Sequence, residues 1–119
     1  MSTSQEKRKH PRFNFSMPMR YKRIGKDVRD FKGSLIKNLS KGGAQVNTFE
    51  FLPLNVKLAV EIPLLSGVQP VKGVCRVAWV RKAAFSEQYD AGVEFVDFDQ
   101  ENTEQIAKFI FDKNIEKVI

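Results

Sequence analysis

Two arginines near the N-terminus have the chemistry of a clamp for phosphates and purines. Arg8 and Arg12 stand four residues apart in the stretch RKHPR, and Pro11 stiffens the approach between them. Each guanidinium can form paired hydrogen bonds with a phosphate or with the O6 and N7 edge of guanine, and its flat face can stack on a purine. A solvated basic arm that binds polyanions without specificity would show the same spacing.

A second polar stretch, NLSKGG at residues 38–43, has the composition of a turn between two strands. Asn38 offers a donor and an acceptor, Ser40 offers a hydroxyl, and Gly43 lets the backbone approach a ligand without a Cβ in the way. We expect Asn38 and Ser40 on one face and Leu39 in the core. Asn, Ser and glycine are also what any turn between strands favours, so this stretch alone is ambiguous.

The positive charge of the chain is concentrated in its N-terminal part. The formal net charge is +6, and residues 1–32 hold ten Lys/Arg against three Asp/Glu, whereas residues 33–119 hold ten against eleven. A localised basic segment on a nearly neutral body attracts phosphates, on a nucleic acid, a membrane surface or a small nucleotide.

Catalytic and metal chemistry find little support in the sequence. His10 lies in the polar N-terminal segment, Cys75 reads as a core residue, and these are the only histidine and the only cysteine. The acidic cluster at 97–101 suits the first turn of a helix. We therefore expect no enzyme activity, no metal and no cofactor. The N-terminus lacks an apolar signal stretch and no apolar run is long enough to cross a bilayer, so we expect a cytoplasmic protein without membrane insertion.

Alternating hydrophobicity predicts six strands with no helices between them, which indicates an antiparallel barrel or sandwich. In the fourth strand we expect the inward face to consist of Val56, Leu58, Val60 and Ile62. In the fifth strand we expect it to consist of Val71, Cys75, Val77 and Trp79. The predicted strands cover residues 17–24, 31–40, 44–48, 56–62, 71–81 and 89–98.

The C-terminal segment changes to helical spacing. Apolar and small residues recur every three or four positions from Thr103, and the stripe comprises Thr103, Ile106, Ala107, Ile110, Phe111, Asn114, Ile115 and Val118. The helix begins either with a capping box at 102–105 or with Asp99. The apolar stripe of this helix either covers an end or face of the barrel or forms a dimer interface. We favour the first alternative.

Taken together, these features resemble the PilZ domain family, the bacterial receptors for cyclic di-GMP. The arginine pair in RKHPR and the Asn-x-Ser-x-x-Gly pattern of NLSKGG carry the resemblance, and VAWVR, GVEFVDF and the closing helix follow in the family's order over almost the whole chain. The resemblance implies a mainly β fold: a six-stranded antiparallel barrel over residues 14–119 with a C-terminal helix at about 99–117, preceded by a flexible basic ligand-binding arm at 1–13.

The resemblance also implies the roles of individual residues. Arg8 and Arg12 would clamp cyclic di-GMP, and Asn38 would read a guanine edge. Ser40 and Gly43 would contact the ligand or shape the turn. Lys7 stands where a further arginine accompanies two bound ligand molecules in some relatives, so the stoichiometry depends on it. Possible secondary ligand contacts come from Lys7, Trp79 and Gly92.

The implied function is that of an adaptor: ligand orders the arm against the barrel and changes the surface shown to an unidentified protein partner. Two alternatives stay open from the residues. One is a PilZ-like module that acts through a protein partner without binding nucleotide. The other is a small nucleic-acid-binding barrel that stacks bases on Phe13, Phe15 or Tyr21, although the mixed charges of the later strands argue against DNA binding.

Overall fold

Six strands and one helix make up the described part of the chain. The computed structural model describes residues 13–25, 30–64 and 69–118, with side chains from 16 to 113 within those ranges. Lys7, Arg8 and Arg12 therefore lie outside the described residues. The elements are β1 Phe13–Arg23, β2 Lys32–Ser40, β3 Gly43–Thr48, β4 Lys57–Ile62, β5 Val71–Lys82, β6 Tyr89–Asp97 and α1 Gln100–Val118. Among these ranges, no helix has the length and apolar character that crossing a membrane requires.

The strands close into a barrel in the order β1-β2-β3-β6-β5-β4, and every pairing is antiparallel. β1 completes the ring by pairing its second half, from Arg20 to Arg23, with β4 from Glu61 back to Leu58. Closure pairs each strand with a neighbour on both sides over part of its length, which shortens the edges open to aggregation. The predicted six-stranded antiparallel barrel is confirmed.

β1 begins at Phe13, four residues earlier than the alternating pattern predicted. Phe13 and Asn14 pair with Leu39 and Asn38, and the register then shifts before Met17 pairs with Ile36. Such an irregularity breaks the alternation of inward and outward residues, so the first part of the strand carries no period-two signal. The chain therefore enters the barrel directly beside the turn at residues 40–43.

The core follows the predicted alternation on β4 and β5, with one exception. Leu58, Val60 and Ile62 are fully buried, as are Val71, Cys75 and Val77. Trp79, predicted to share their inward face, is 39% exposed. The register of β5 against β6 shifts between Val77 and Trp79, and this bulge turns the indole outward.

Helix α1 packs on β1, β2 and β5 of its own barrel, as the intramolecular interpretation predicted. Its buried stripe consists of Ile106, Phe109 and Ile110, spaced at three and four residues. Phe111 was predicted in this stripe but is 61% exposed, because it is turned about 100° from Ile110 around the helix.

Asp99 caps the helix, and the alternative capping box at 102–105 is wrong. The Asp99 carboxylate accepts a hydrogen bond from the Asn102 amide at 3.0 Å, and its carbonyl oxygen accepts one from the Thr103 amide at 3.0 Å. The carboxylate satisfies an amide group that has no partner within the helix, and the carbonyl accepts the first regular hydrogen bond of the helix. The carboxylate also opposes the positive end of the helix dipole.

We expect Asp99→Ala to lower the free energy of unfolding by about 1 kcal/mol, because it removes this cap. Asp112→Ala is the matched control, since Asp112 only accepts an exposed hydrogen bond from Lys108 one turn earlier, which is worth roughly 0.5 kcal/mol or less. Urea unfolding followed by circular dichroism measures both. Equal losses for the two variants would contradict the assigned cap.

Candidate ligand-binding site

Four residues from four neighbouring strands lie in one row across the barrel. Asn38 on β2 pairs with Gln45 on β3, Gln45 pairs with Gly92 on β6, and Gly92 pairs with Trp79 on β5. Because adjacent strands lie about 4.8 Å apart, the row spans roughly 14 Å, a length comparable to that of a dinucleotide. Three of the four were singled out from the sequence, and Gln45 was not.

Asn38 faces outward because of a bulge in β2. Ile36 and Leu39 are both fully buried although they stand three residues apart, which strict alternation does not allow. A register shift between Ile36 and Asn38 accommodates both and leaves Asn38 half-buried on the outer face. There its Nδ2 donates a hydrogen bond to Oε1 of Gln45 at 3.1 Å.

Ser40 and Gly43 hold the turn that follows Asn38. Ser40 is 5% exposed, and its hydroxyl donates to the carbonyl oxygen of Gly43 at 3.2 Å, so it does not share the outward exposure predicted for it with Asn38. A Cβ on Gly43 would lie 2.3 Å from the carbonyl oxygen of Val93. Of the two roles that the sequence left open for these residues, the described contacts are those of shaping the turn.

Trp79 lies against Gly92 at the far end of the row. A Cβ on Gly92 would meet the indole Nε1 at 2.1 Å, so only glycine leaves the ring room in this position. The indole is therefore held against the sheet with part of its surface in solvent. A ring in this position can stack on a purine base or on a guanidinium.

A polar network continues from Trp79 along the same face. The Arg81 guanidinium carbon lies 5.4 Å from the centre of the Trp79 ring, and its Nε is 3.6 Å from Oδ2 of Asp90. Asp90 also accepts a hydrogen bond from Asn47 at 3.0 Å. On the other side of the row, Glu94 pairs with Arg76. Both acidic groups that border the row thus face a cation, which limits their repulsion of an anionic ligand.

A second polar cluster closes the opposite end of the barrel. Tyr21 is 2% exposed and donates to Oε1 of Glu50 at 2.7 Å. Burial raises the pKa of Tyr21, and the hydrogen bond to Glu50 raises it further. Burial opposes ionisation of Glu50, but the hydrogen bonds from Tyr21 and Lys32 and the charges of Lys32 and Arg23 lower its pKa overall. Tyr21 is therefore unavailable for stacking bases, which removes one residue from the nucleic-acid alternative.

The single cysteine lies in the core of the barrel. Cys75 is fully buried, and burial raises the pKa of its thiol to about 12, so it stays protonated at neutral pH. In the part of the chain that the structure describes, no three His, Cys, Asp or Glu side chains are grouped so that they could hold a metal ion.

The family model described as PilZ domain matches residues 6–112 of the chain. The chain belongs to the PilZ domain family. Its Asn-x-Ser-x-x-Gly pattern is the turn from Asn38 to Gly43, and the match includes the arginine pair at 8 and 12 that lies outside the described residues. No curated protein matches the chain significantly.

Solved structures show the same PilZ fold. The Bacillus subtilis inhibitor of motility MotI/DgrA superimposes with a TM-score of 0.77 at 15% identity, over 93% of this chain and 52% of the other. The K. pneumonia MrkH–c-di-GMP complex gives 0.71 at 17% identity, over 93% and 53%. The PilZ domain of Escherichia coli YcgR with c-di-GMP gives 0.70 at 13% identity, over 93% and 94%. The chain thus spans about half the length of MotI and MrkH.

We expect Gly92→Ala to push the Trp79 indole away from the sheet, because the new methyl group occupies the position of the ring. Trp79 is the only tryptophan, so its fluorescence emission should shift to longer wavelength, and overpacking should cost about 1–3 kcal/mol of stability. Gly33→Ala is the control, since a Cβ there meets no atom within 4 Å. Unchanged emission in Gly92→Ala would contradict the packing of the ring on Gly92.

Proposed function

We propose that this PilZ domain is a receptor for cyclic di-GMP that binds the ligand along the row from Asn38 to Trp79. The single observation that carries the proposal is the register that aligns Asn38, Gln45, Gly92 and Trp79 beside the point where the N-terminal segment enters the barrel. Membership of the PilZ family supports it, as do two similar structures whose titles name c-di-GMP.

Chain geometry lets the arginine pair reach the row. Phe13 pairs with Leu39, the neighbour of Asn38, and Arg12 immediately precedes Phe13 in the chain. Arg8 stands five residues before Phe13, and an extended chain covers at most about 18 Å over that distance. The row is roughly 14 Å long, so both guanidinium groups can be brought to a ligand lying on it.

The proposed roles follow from what the ligand offers. Cyclic di-GMP carries two phosphate charges and two guanines, which match the bidentate and stacking capacity of Arg8 and Arg12. Asn38, on the barrel, forms hydrogen bonds with a guanine edge, and Trp79 supplies an aromatic surface for a base. Ser40 and Gly43 keep the turn in the shape that holds Asn38 in place.

The proposed consequence of binding is a change of surface rather than a reaction. The ligand draws the segment around Arg8 and Arg12 onto the barrel, and the ordered segment with the adjoining barrel face is recognised by a protein partner. This makes the protein an adaptor and not an enzyme. Lys7 determines how many ligand molecules bind. A lysine keeps the positive charge but cannot form the paired hydrogen bonds of arginine or stack on a base, which favours one ligand molecule over two.

Calorimetric titration with cyclic di-GMP tests the site, with GTP and cyclic AMP as comparison ligands. We expect Arg8→Ala, Arg12→Ala and Asn38→Ala each to weaken binding by about 5- to 150-fold, since a good bidentate contact is worth about 1–3 kcal/mol. Arg20→Ala is the matched control, because Arg20 is an exposed arginine of β1 whose ion pair with Glu61 lies outside the row. Thermal unfolding should be nearly unchanged in the three arginine variants, whereas Asn38→Ala should lower the free energy of unfolding by about 1 kcal/mol, because it removes the hydrogen bond to Gln45.

Equal affinity of the wild type and the Arg8 and Arg12 variants would overturn the proposal. Binding of none of the nucleotides by the wild type would leave a PilZ module that acts through its protein partner alone. A steep loss of affinity with salt and no preference for the cyclic dinucleotide would instead favour a nucleic-acid ligand.

The molar ratio from the same titration tests the role of Lys7. We expect one cyclic di-GMP per chain for the wild type and an increase toward two in Lys7→Arg, because arginine adds a stacking and forking group. Lys9→Arg is the control, since it makes the same exchange two residues away in the same basic stretch. A ratio of two in the wild type would contradict the role assigned to Lys7.

A further inference from the structure

We propose that a cleft at the end of β1 is a docking site for an acidic protein segment that also carries apolar side chains. The cleft is a cavity of about 340 Å³, and its lining residues are Arg23, Ile24, Gly25, Asn55, Val56 and Lys57. Asn14 of β1 pairs with Asn38, and Arg23 comes nine residues later, roughly 30 Å along the strand. The inference therefore goes beyond the proposed function and stands whether or not the protein binds cyclic di-GMP.

Hydrogen bonds hold the two segments that line the cavity. The Ile24 amide donates to the carbonyl oxygen of Lys57 at 2.9 Å, which ties the end of β1 to the start of β4. The Asn55 amide donates to the carbonyl oxygen of Val77 at 2.8 Å, and Oδ1 of Asn55 accepts from Arg76 at 2.8 Å. Because these segments are already ordered, a ligand that enters the cavity has little ordering entropy to overcome.

The cavity carries positive charge that its surroundings do not balance. Within residues 13–25, 30–64 and 69–118, the exposed Lys57 forms no ion pair. Arg23 lies 3.4 Å from Oε2 of Glu50, but Lys32 lies 3.2 Å from the same oxygen, so two cations share one negative charge. Nε of Arg23 is buried and has no hydrogen-bond partner in the same ranges, so the guanidinium has unused donor capacity. Acidic groups are therefore the electrostatic complement of this surface.

Exposed apolar side chains adjoin these cations. Ile24, Leu54 and Phe51 are each about half exposed. Ile24 lines the cavity, Leu54 directly precedes Asn55, and the carbonyl oxygen of Phe51 accepts a hydrogen bond from Arg23 at 2.8 Å. Single exposed apolar residues are ordinary, but three of them grouped at a cavity are typical of an interaction surface.

A protein segment matches this combination better than a nucleic acid or a small anion. A nucleic acid presents a long row of phosphates, whereas the cavity offers two cations beside apolar side chains. A small anion that filled the cavity would leave Leu54 and Phe51 in water, because neither residue lines it. An acidic segment with apolar residues contacts both the cations and the apolar side chains.

An NMR titration of the isotope-labelled full chain with synthetic peptides tests the site. The probe is a peptide with two leucines between two pairs of glutamates. One comparison peptide has lysines in place of the glutamates, and another has glycines in place of the leucines. We expect the probe alone to shift the amide signals of Ile24, Gly25, Asn55 and Lys57, weakly but in a saturable way.

Two variants with matched controls assign the binding to the cleft. We expect Lys57→Glu to weaken binding of the probe about ten-fold, because it reverses a charge, and Ile24→Ser to weaken it about five-fold, because it removes apolar contact. Lys72→Glu and Val96→Ser are the controls, since both residues are exposed on other strands and neither lines the cavity. Both controls should keep the affinity of the wild type.

Several results would overturn the inference. They are an unchanged affinity in Lys57→Glu, equal binding of the peptide without leucines, and signal shifts confined to the basic stretch at residues 7–12. Two others would do so by naming a different occupant: binding of phosphatidylglycerol vesicles in place of the peptide, and self-association of the chain that Ile24→Ser abolishes. Failure of the chain to bind cyclic di-GMP would leave the peptide result unchanged, so the two proposals fail separately.

Discussion

β3 and β6 can pair at residue 43 only because Gly43 has no Cβ. A methyl group there would lie 2.3 Å from the carbonyl oxygen of Val93, inside any possible contact distance. This close approach accompanies the position of β6 between β3 and β5, although forty residues separate β3 from β6 in the chain. The closed ring and the row from Asn38 to Trp79 both depend on that insertion, since each joins β3 to β5 through β6.

The outward residues of the proposed site exist because two strands depart from regular alternation. In β2 a register shift lets Ile36 and Leu39 both enter the core and leaves Asn38 outside. In β5 a second shift turns Trp79 outward while Val77 stays buried. A bulge re-aims a side chain at little cost to the core, because the backbone hydrogen bonds resume one residue later. Both irregularities therefore serve the outer face more than the interior.

Electrostatics make this face receptive to an anion even though acidic residues border it. Asp90 lies close to Arg81 and Asn47, and Glu94 pairs with Arg76. Exposed ion pairs of this kind add little to stability, so their main effect is on the local field. With the carboxylates balanced, the excess positive charge of the N-terminal segment is not cancelled by the barrel face beside it.

The sequence by itself determined the number of strands and their positions along the chain, the inward faces of β4 and most of β5, the closing helix and the PilZ family. These depend on local periodicity and on short motifs, both of which can be read directly along the chain. Only the tertiary structure decided that Trp79 faces solvent, that Asp99 begins the helix, and that Gln45 lies between Asn38 and Gly92. Strands pair through backbone groups that every residue has. The local sequence therefore does not specify where a bulge forms, and it does not specify which residue of a neighbouring strand lies beside a given side chain.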